Sequence, residues 1–266
     1  MSKMLLEVQD LKKIYKEKND IHPAVRGVSF SLEEGELLGV VGESGSGKST
    51  LARCILRLLR PDDGRILWRG EDISSLSQRK LRPLRPQMQM VFQNPYGSFN
   101  PRFTIEKTLD RAGRFYGLSR DEYRDRRAEL LDCCELEPGL MARRPAQLSG
   151  GQLQRFALVR ALLPEPRLLI ADEAVSALDV AVQEPVLRLF AKLRDRYGIA
   201  VLFISHDLAV VKSLCSRVLV MYQGEIVEEG DTAQVFAAPA HPYTRQLLAA
   251  RPKIPGADPA DRSEEQ

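Results

Sequence analysis

No stretch of this chain is apolar over anything near the ~18 residues a membrane-spanning helix needs, which excludes such a span. Met1 to Asp10 is too short and too quickly acidic for a secretory leader, so the expectation is a soluble, intracellular protein. Cysteine is sparse: Cys54, Cys133, Cys134 and Cys215 show no Cys-x-x-Cys spacing, and three of them stand among apolar neighbours at helix-like positions. That favours packing over a metal or redox role. Charge of one sign is also missing, because 39 basic and 36 acidic residues interleave, as in Arg120-Asp121-Glu122-Tyr123-Arg124-Asp125-Arg126-Arg127. Such a run reads as a solvated face and implies no nucleic-acid partner. Neither an internal repeat nor sustained heptads are present. With 266 residues, 44% of them hydrophobic, the chain has material for one large domain or one domain carrying a substantial insertion.

What is there centres on Gly42-Glu43-Ser44-Gly45-Ser46-Gly47-Lys48-Ser49-Thr50, entered from the apolar run Leu37 to Val41 and left by the helix-like Leu51 to Leu56. The stretch fits Gly-x-x-x-x-Gly-Lys-[Ser/Thr] in the strand-then-helix context that gives the pattern meaning. Glycines at 42, 45 and 47 let the backbone take positive φ and approach an anion with no Cβ in the way. Successive N–H groups then curl around a polyphosphate at a helix N-terminus. Lys48 is placed to reach the β- and γ-phosphates, and the Ser49 hydroxyl to ligate Mg²⁺.

Before the loop, Leu5 to Leu11 and Ala24 to Leu32 read as strands of an antiparallel layer, joined through the polar Lys18-Asn19-Asp20. Tyr15 falls in the connection between them, where its ring either stacks on a purine or simply packs. After the loop helix, Arg65 to Gly70 is a short strand, and the basic, Pro-interrupted Arg79 to Arg85 reads as surface connection. Met88 to Gln93 alternates as a buried strand ending on an amide, and Gln93 could ligate Mg²⁺ or orient an attacking water. Asn94 to Phe103 is a breaker-rich loop whose Tyr96, Phe99 and Phe103 are either local plugs or a docking patch. From Thr104 to Glu137 the period turns helical, and Pro138-Gly139 stops it.

Gln147 to Gln152 opens a helix expected over Leu153 to Leu163, with Ser149 in an N-cap position and Gly150 and Gly151 allowing close approach. Beside the phosphate loop this is a second anion-binding N-terminus, together with Gln152. One nucleotide does not need two in the same chain, so the second is expected to serve a neighbouring chain's nucleotide. The strand Arg167 to Ala171 ends in Asp172, placed to hold Mg²⁺, and Glu173, placed to polarise the water attacking a γ-phosphate. Ser176-Ala177-Leu178-Asp179 is a turn into another helix, and the strand Gly198 to Ser205 ends at His206, placed to contact a γ-phosphate.

Taken in order, these residues resemble the ATP-binding subunit of an ATP-binding cassette (ABC) transporter from Leu5 to about Leu248. The likeness rests on the Walker A loop Gly42 to Thr50, the Q-loop Gln93, the signature Leu148 to Gln152, Walker B with Asp172 and Glu173, the D-loop Ser176 to Asp179, and the switch His206. It implies an α/β P-loop NTPase core with an antiparallel β-subdomain and an α-helical subdomain inserted over about 104–163. The single ATPase domain would span 1–251, followed by a Pro-containing polar tail, 252–266, expected to be disordered. The likeness also implies ATP and Mg²⁺ as cofactors, a head-to-tail dimer with the signature acting in trans, adenine stacking by Tyr15, and Asp179 among the nucleotide-contacting residues. It shifts Tyr96 and Phe99 towards docking of a membrane subunit.

Asn94 to Arg102, Val175 to Val180 and Ala240 to Leu248, with its His-Pro-Tyr-Thr, look like the dipeptide, oligopeptide and nickel importer group. Ala174, where the family usually has Pro, leans towards the nickel-type second ATPase. The expected assembly is a second ATPase subunit, the same or different, two membrane permease subunits and an extracytoplasmic binding protein, at the cytoplasmic face of the membrane. The alternatives are a soluble ABC ATPase working on ribosomes or DNA, and an exporter ATPase. Pro185, within the helix after the D-loop, predicts a kink or a late helix start there.

Overall fold

The computed structural model describes residues 3–17, 20–174 and 180–250. Strands β1 (Met4–Glu17), β2 (Asp20–Glu33), β4 (Asp63–Trp68) and β5 (Glu71–Asp72) form one antiparallel sheet in the order β2-β1-β4-β5. The second sheet runs β10-β9-β3-β8-β7-β6, from β3 (Leu37–Val41), β6 (Met88–Val91), β7 (Leu168–Asp172), β8 (Ala200–Ile204), β9 (Arg217–Tyr222) and β10 (Glu225–Asp231). Its strands β9, β3, β8, β7 and β6 are parallel, and β10 is an antiparallel edge.

The central strands β3, β7 and β8 are buried at every position. Their near-continuous apolar runs suit parallel strands covered on both faces. Alternation decides which residue faces which layer. Leu37, Leu169, Ala171, Val201 and Phe203 join the core beneath helices α5 (Gly150–Leu162), α6 (Val180–Tyr197) and α7 (Leu208–Leu214). Leu38, Val40, Leu168, Ile170, Leu202 and Ile204 meet α1 (Lys48–Ile55) and the antiparallel sheet on the other side.

The helical stretch after Thr104 is α3 (Ile105–Phe115) and α4 (Arg120–Cys133). Thr104 caps the first, and Ser119 with Glu122 forms a reciprocal capping box on the second. Near the C-terminus, α8 (Thr232–Ala237) and α9 (Pro242–Ala249) follow β10. The buried Cys54, Cys134 and Cys215 and the half-buried Cys133 are free thiols. Burial pushes Cys54 up to about 11 and Cys215 up to about 12, which keeps them protonated and inert.

Several expectations need correction. Tyr15 is not in a connecting loop but inside β1, opposite His22, because the hairpin continues well past Leu11. The basic stretch around Arg79 to Arg85 is more than surface connection: it contains α2 (Gln78–Leu81) and a 3₁₀ turn over Arg82–Gln87. Leu81 is buried, and the Arg85 guanidinium donates to the Leu56 and Arg57 carbonyls at the end of α1. Helix α5 starts at Gly150, not Leu153, because the Ser149 cap admits both glycines to its first turn. Helix α6 runs from Val180 through position 185, so there is no late start. The D-loop, with Asp179, and the tail 252–266 lie outside the described residues.

Candidate functional site

Parallel strands present their C-terminal ends along one edge, where ligands of open α/β sheets bind. Here that edge collects the phosphate loop after β3, Gln93 after β6, Asp172 and Glu173 at the end of β7, and Ser205 and His206 after β8. Sequence positions far apart thus converge because four strands stop together.

The loop itself turns on glycine. Gly47 is the N-cap of α1 with φ +103°, and a Cβ there would sit 2.1 Å from the Ala24 carbonyl oxygen. Gly45, at φ +84°, faces open space with nothing within 4 Å. Lys48 is only 4% exposed, and its ammonium donates to the carbonyls of Gly42 (2.8 Å) and Glu43 (2.7 Å) and to Ser46 Oγ (3.2 Å). Burial lowers its pKa, opposed by Glu173 and Asp172. A cation held by neutral oxygens beside an open glycine loop is suited to an incoming anion.

Beside it, the Ser49 hydroxyl donates to Asp172 Oδ1 at 2.9 Å. Asp172 is 5% exposed, and burial raises its pKa even though the Ser49 bond lowers it. Glu173 has φ +48°, a sparsely populated conformation for a residue with a Cβ, and its amide donates to the Ile204 carbonyl. Gln93 Nε2 donates to Glu173 Oε2 at 2.6 Å, and His206 Nδ1 lies 3.6 Å from the same oxygen. The three side chains surround one point next to the phosphate loop.

A cavity of about 740 Å³ opens there, lined by Gly42, Glu43, Ser44, Glu173, His206 and Asp207 among others. Leu247 and Ala250 of the C-terminal segment also line it. Sequence reasoning used the His-Pro-Tyr-Thr motif only for its likeness and missed this wall. Nothing in the spacing signals a contact made across some 200 residues.

Elsewhere the predicted residues divide. Tyr15 is exposed, with its hydroxyl 3.5 Å from Thr50 Oγ1, so its ring stands beside the loop helix. The segment Ser149 to Gln152 contributes nothing to the cavity lining. There Gln152 N donates to Ser149 Oγ and Ser149 N to Gln152 Oε1. Of the loop aromatics, Tyr96 is 48% exposed and donates to the Leu148 carbonyl, whereas Phe99 is buried under the Arg160 guanidinium, 4.7 Å from its ring centre. Phe99 is therefore a plug and not part of an exposed patch. Arg160 also donates to the Ser98 carbonyl, and burial lowers its pKa.

Comparison with known proteins returns one family consistently. The ABC transporter family profile matches residues 25–176, and a profile of the oligopeptide/dipeptide transporter C-terminal region matches residues 227–266. A probable peptide ABC transporter ATP-binding protein, y4tS of Sinorhizobium fredii, is 48% identical over 98% of this chain and 75% of its own length. The oligopeptide transport ATP-binding protein OppF of Salmonella typhimurium is 45% identical over 96% of this chain and 80% of its own. Among solved structures, the dimeric MJ0796 cassette, a bacterial ABC transporter cassette, superposes with a TM-score of 0.78 at 31% identity. It covers 86% of this chain and 99% of that one. A post-hydrolysis MJ0796 dimer bound to ADP and phosphate gives 0.77 at 30% identity over the same shares.

Proposed function

The chain belongs to the ABC transporter family, and from that premise we propose that it is the ATP-hydrolysing subunit of a peptide importer. The observation that carries the reading is the convergence of Gln93, Glu173 and His206 on one point beside Lys48, at the edge where the phosphate loop begins.

In this reading the glycine loop takes the triphosphate, with Gly42, Glu43, Ser44, Gly45, Ser46 and Gly47 offering backbone and Thr50 and Tyr15 bordering it. Lys48 leaves its carbonyl partners for the β- and γ-phosphates. The Ser49 hydroxyl and the Asp172 carboxylate, oxygen donors of the kind Mg²⁺ takes, fit that ion and would hold it beside the phosphates. When bound it neutralises charge developing on the phosphates. Glu173 accepts the proton of the attacking water, Gln93 fixes that carboxylate's orientation, and His206 contacts the γ-phosphate. Asp179 is assigned to the nucleotide site by family likeness alone.

The signature tip, Ser149, Gly150, Gly151 and Gln152, closes on a nucleotide held by another ATPase subunit, a copy of this chain or a related one. The dimeric relatives support that arrangement. Membrane permease subunits follow from the transporter names of the relatives, and a substrate-binding protein completes the assembly at the cytoplasmic membrane face. No described helix is long and apolar enough to cross a membrane, so the permease supplies the path. Peptides are the favoured cargo because the relatives named above carry peptide names and the C-terminal profile is of that group. The lean towards nickel finds no counterpart in those names, and neither does an exporter or a ribosome- or DNA-directed ATPase.

The test is uptake of a labelled oligopeptide by the whole transporter reconstituted in vesicles, with ATP inside the compartment that this chain faces. Wild type should transport and Glu173→Gln should not. Equal uptake by the two removes this chain from the driving role.

A further inference from the structure

The last helix reaches back to the phosphate loop. Tyr243, in the first turn of α9, is 6% exposed, and its hydroxyl accepts the Glu43 amide at 2.9 Å. Its ring lies against Tyr222 at the end of β9, with centres 4.1 Å apart and planes 31° apart. The approach is fixed from below: Glu228 of β10 accepts the Ala240 and His241 amides at 2.7 and 3.0 Å, and His241 Nδ1 accepts the Tyr243 amide. Burial by itself would raise the Glu228 carboxyl, but its polar neighbours, among them the donating Ala240 and His241 amides, outweigh it and hold the group below its ordinary value.

The Glu43 peptide is gripped at both ends. The Glu43 N–H goes to Tyr243, and the Gly42 carbonyl of the same peptide unit accepts from Lys48. The residue that starts the anion cradle is thereby pinned by a side chain two hundred positions away, and the cation of that cradle rests on the same peptide.

We propose that Tyr243 is a positioning residue for nucleotide binding, acting through the Glu43 peptide, and that the C-terminal segment is a wall of the chain's own nucleotide site. The proposal rests on the nucleotide-site reading given above. A loop already shaped loses less freedom when a ligand arrives, so its affinity is higher. Removing one neutral hydrogen bond to the loop weakens binding roughly three- to tenfold.

The experiment titrates full-length chain with ATP and with ADP by calorimetry, comparing wild type, Tyr243→Phe and Tyr222→Phe. The Tyr222 hydroxyl accepts from Gln223, whereas the Glu43 amide goes to Tyr243, so Tyr222→Phe keeps the ring pair and controls for losing a phenol hydroxyl next to it. Tyr243→Phe should bind both nucleotides about three- to tenfold more weakly, while Tyr222→Phe binds like wild type. Hydrogen exchange of nucleotide-free wild type should show a slow Glu43 amide, and Tyr243→Phe should make it fast. That measurement on wild type holds even if the variant folds poorly. Wild-type binding with an unchanged Tyr243→Phe affinity, or a fast Glu43 amide in wild type, overturns the proposal alone. Absence of wild-type nucleotide binding overturns the site and the proposal together.

Discussion

Gln93 donates to Glu173 at 2.6 Å, joining the residue that follows β6 to the residue that follows β7. The amide has no charge to titrate, so it aims the carboxylate without neutralising it. A carboxylate aimed beside a phosphate site is placed as a general base must be.

Glu173→Gln should therefore leave ATP affinity within about twofold of wild type and lower hydrolysis by about 10²-fold or more. Single-turnover hydrolysis by the assembled transporter, beside equilibrium ATP binding, checks the split. Unchanged turnover would take Glu173 out of its assigned role.

Asp172 carries a cost of its own. Its folded pKa is raised by burial, so the ionised form is disfavoured in the folded chain, and stability is lost as pH rises through that folded value. Asp172→Asn should unfold at an equal or higher temperature than wild type at neutral pH. The difference should shrink as pH falls below about 4, where aspartate protonates in both states. Hydrolysis should be lost in the same variant. A marked fall in its unfolding temperature at pH 7 would contradict this.

Two glycines of the loop should part company on substitution. Gly47→Ala drives a Cβ into the Ala24 carbonyl at a positive φ, so both stability and nucleotide affinity should collapse. Gly45→Ala meets nothing within 4 Å and pays only for its backbone conformation, about 1 kcal/mol. It should still lose most of its ATP affinity, because the methyl occupies space the phosphates need. Denaturant midpoints and nucleotide titrations on both variants check the contrast.

Arg160→Met should destabilise the chain by about 1.5–3 kcal/mol, the range for a hydrogen bond to a charged group. The loss reflects the Ser98 carbonyl left without its donor and the Phe99 ring left without its cation. Urea unfolding measures it, and a change under about 0.5 kcal/mol would mean the loop holds itself.

Isolated chain, kept dilute enough to be monomeric by light scattering, should hydrolyse ATP far more slowly than the assembled transporter. The Ser149 to Gln152 tip lines no part of its own chain's cavity, and in the in-trans arrangement proposed above a second subunit supplies that half. Full activity in the monomer would contradict the in-trans arrangement.

Much of this was legible in the residues. Gly42 to Thr50, Gln93, Asp172, Glu173 and His206 each lie at or just past a strand's end, and the apolar runs expose where strands stop. Tyr15 was misplaced because its strand continues through Lys12, Lys13 and Lys16, where charges mask the alternation. Arg85 read as part of a surface connection, yet it satisfies carbonyls at the end of α1 as Arg160 satisfies the Ser98 carbonyl, a job that spacing does not advertise. Phe99 looked like half of an exposed pair with Tyr96, and only a buried guanidinium from a distant helix tells the two apart. The Tyr243 contact depends on how β9, β10 and the last helix fold back, which no local pattern encodes.

The reciprocal bonds between Ser149 and Gln152 have one more consequence. A helix start that already meets its own hydrogen-bonding needs is a finished tool, not one assembled on contact. Under the proposed in-trans arrangement, such a tip would let go of another subunit after each turnover and meet it again without refolding, its shape intact through repeated strokes.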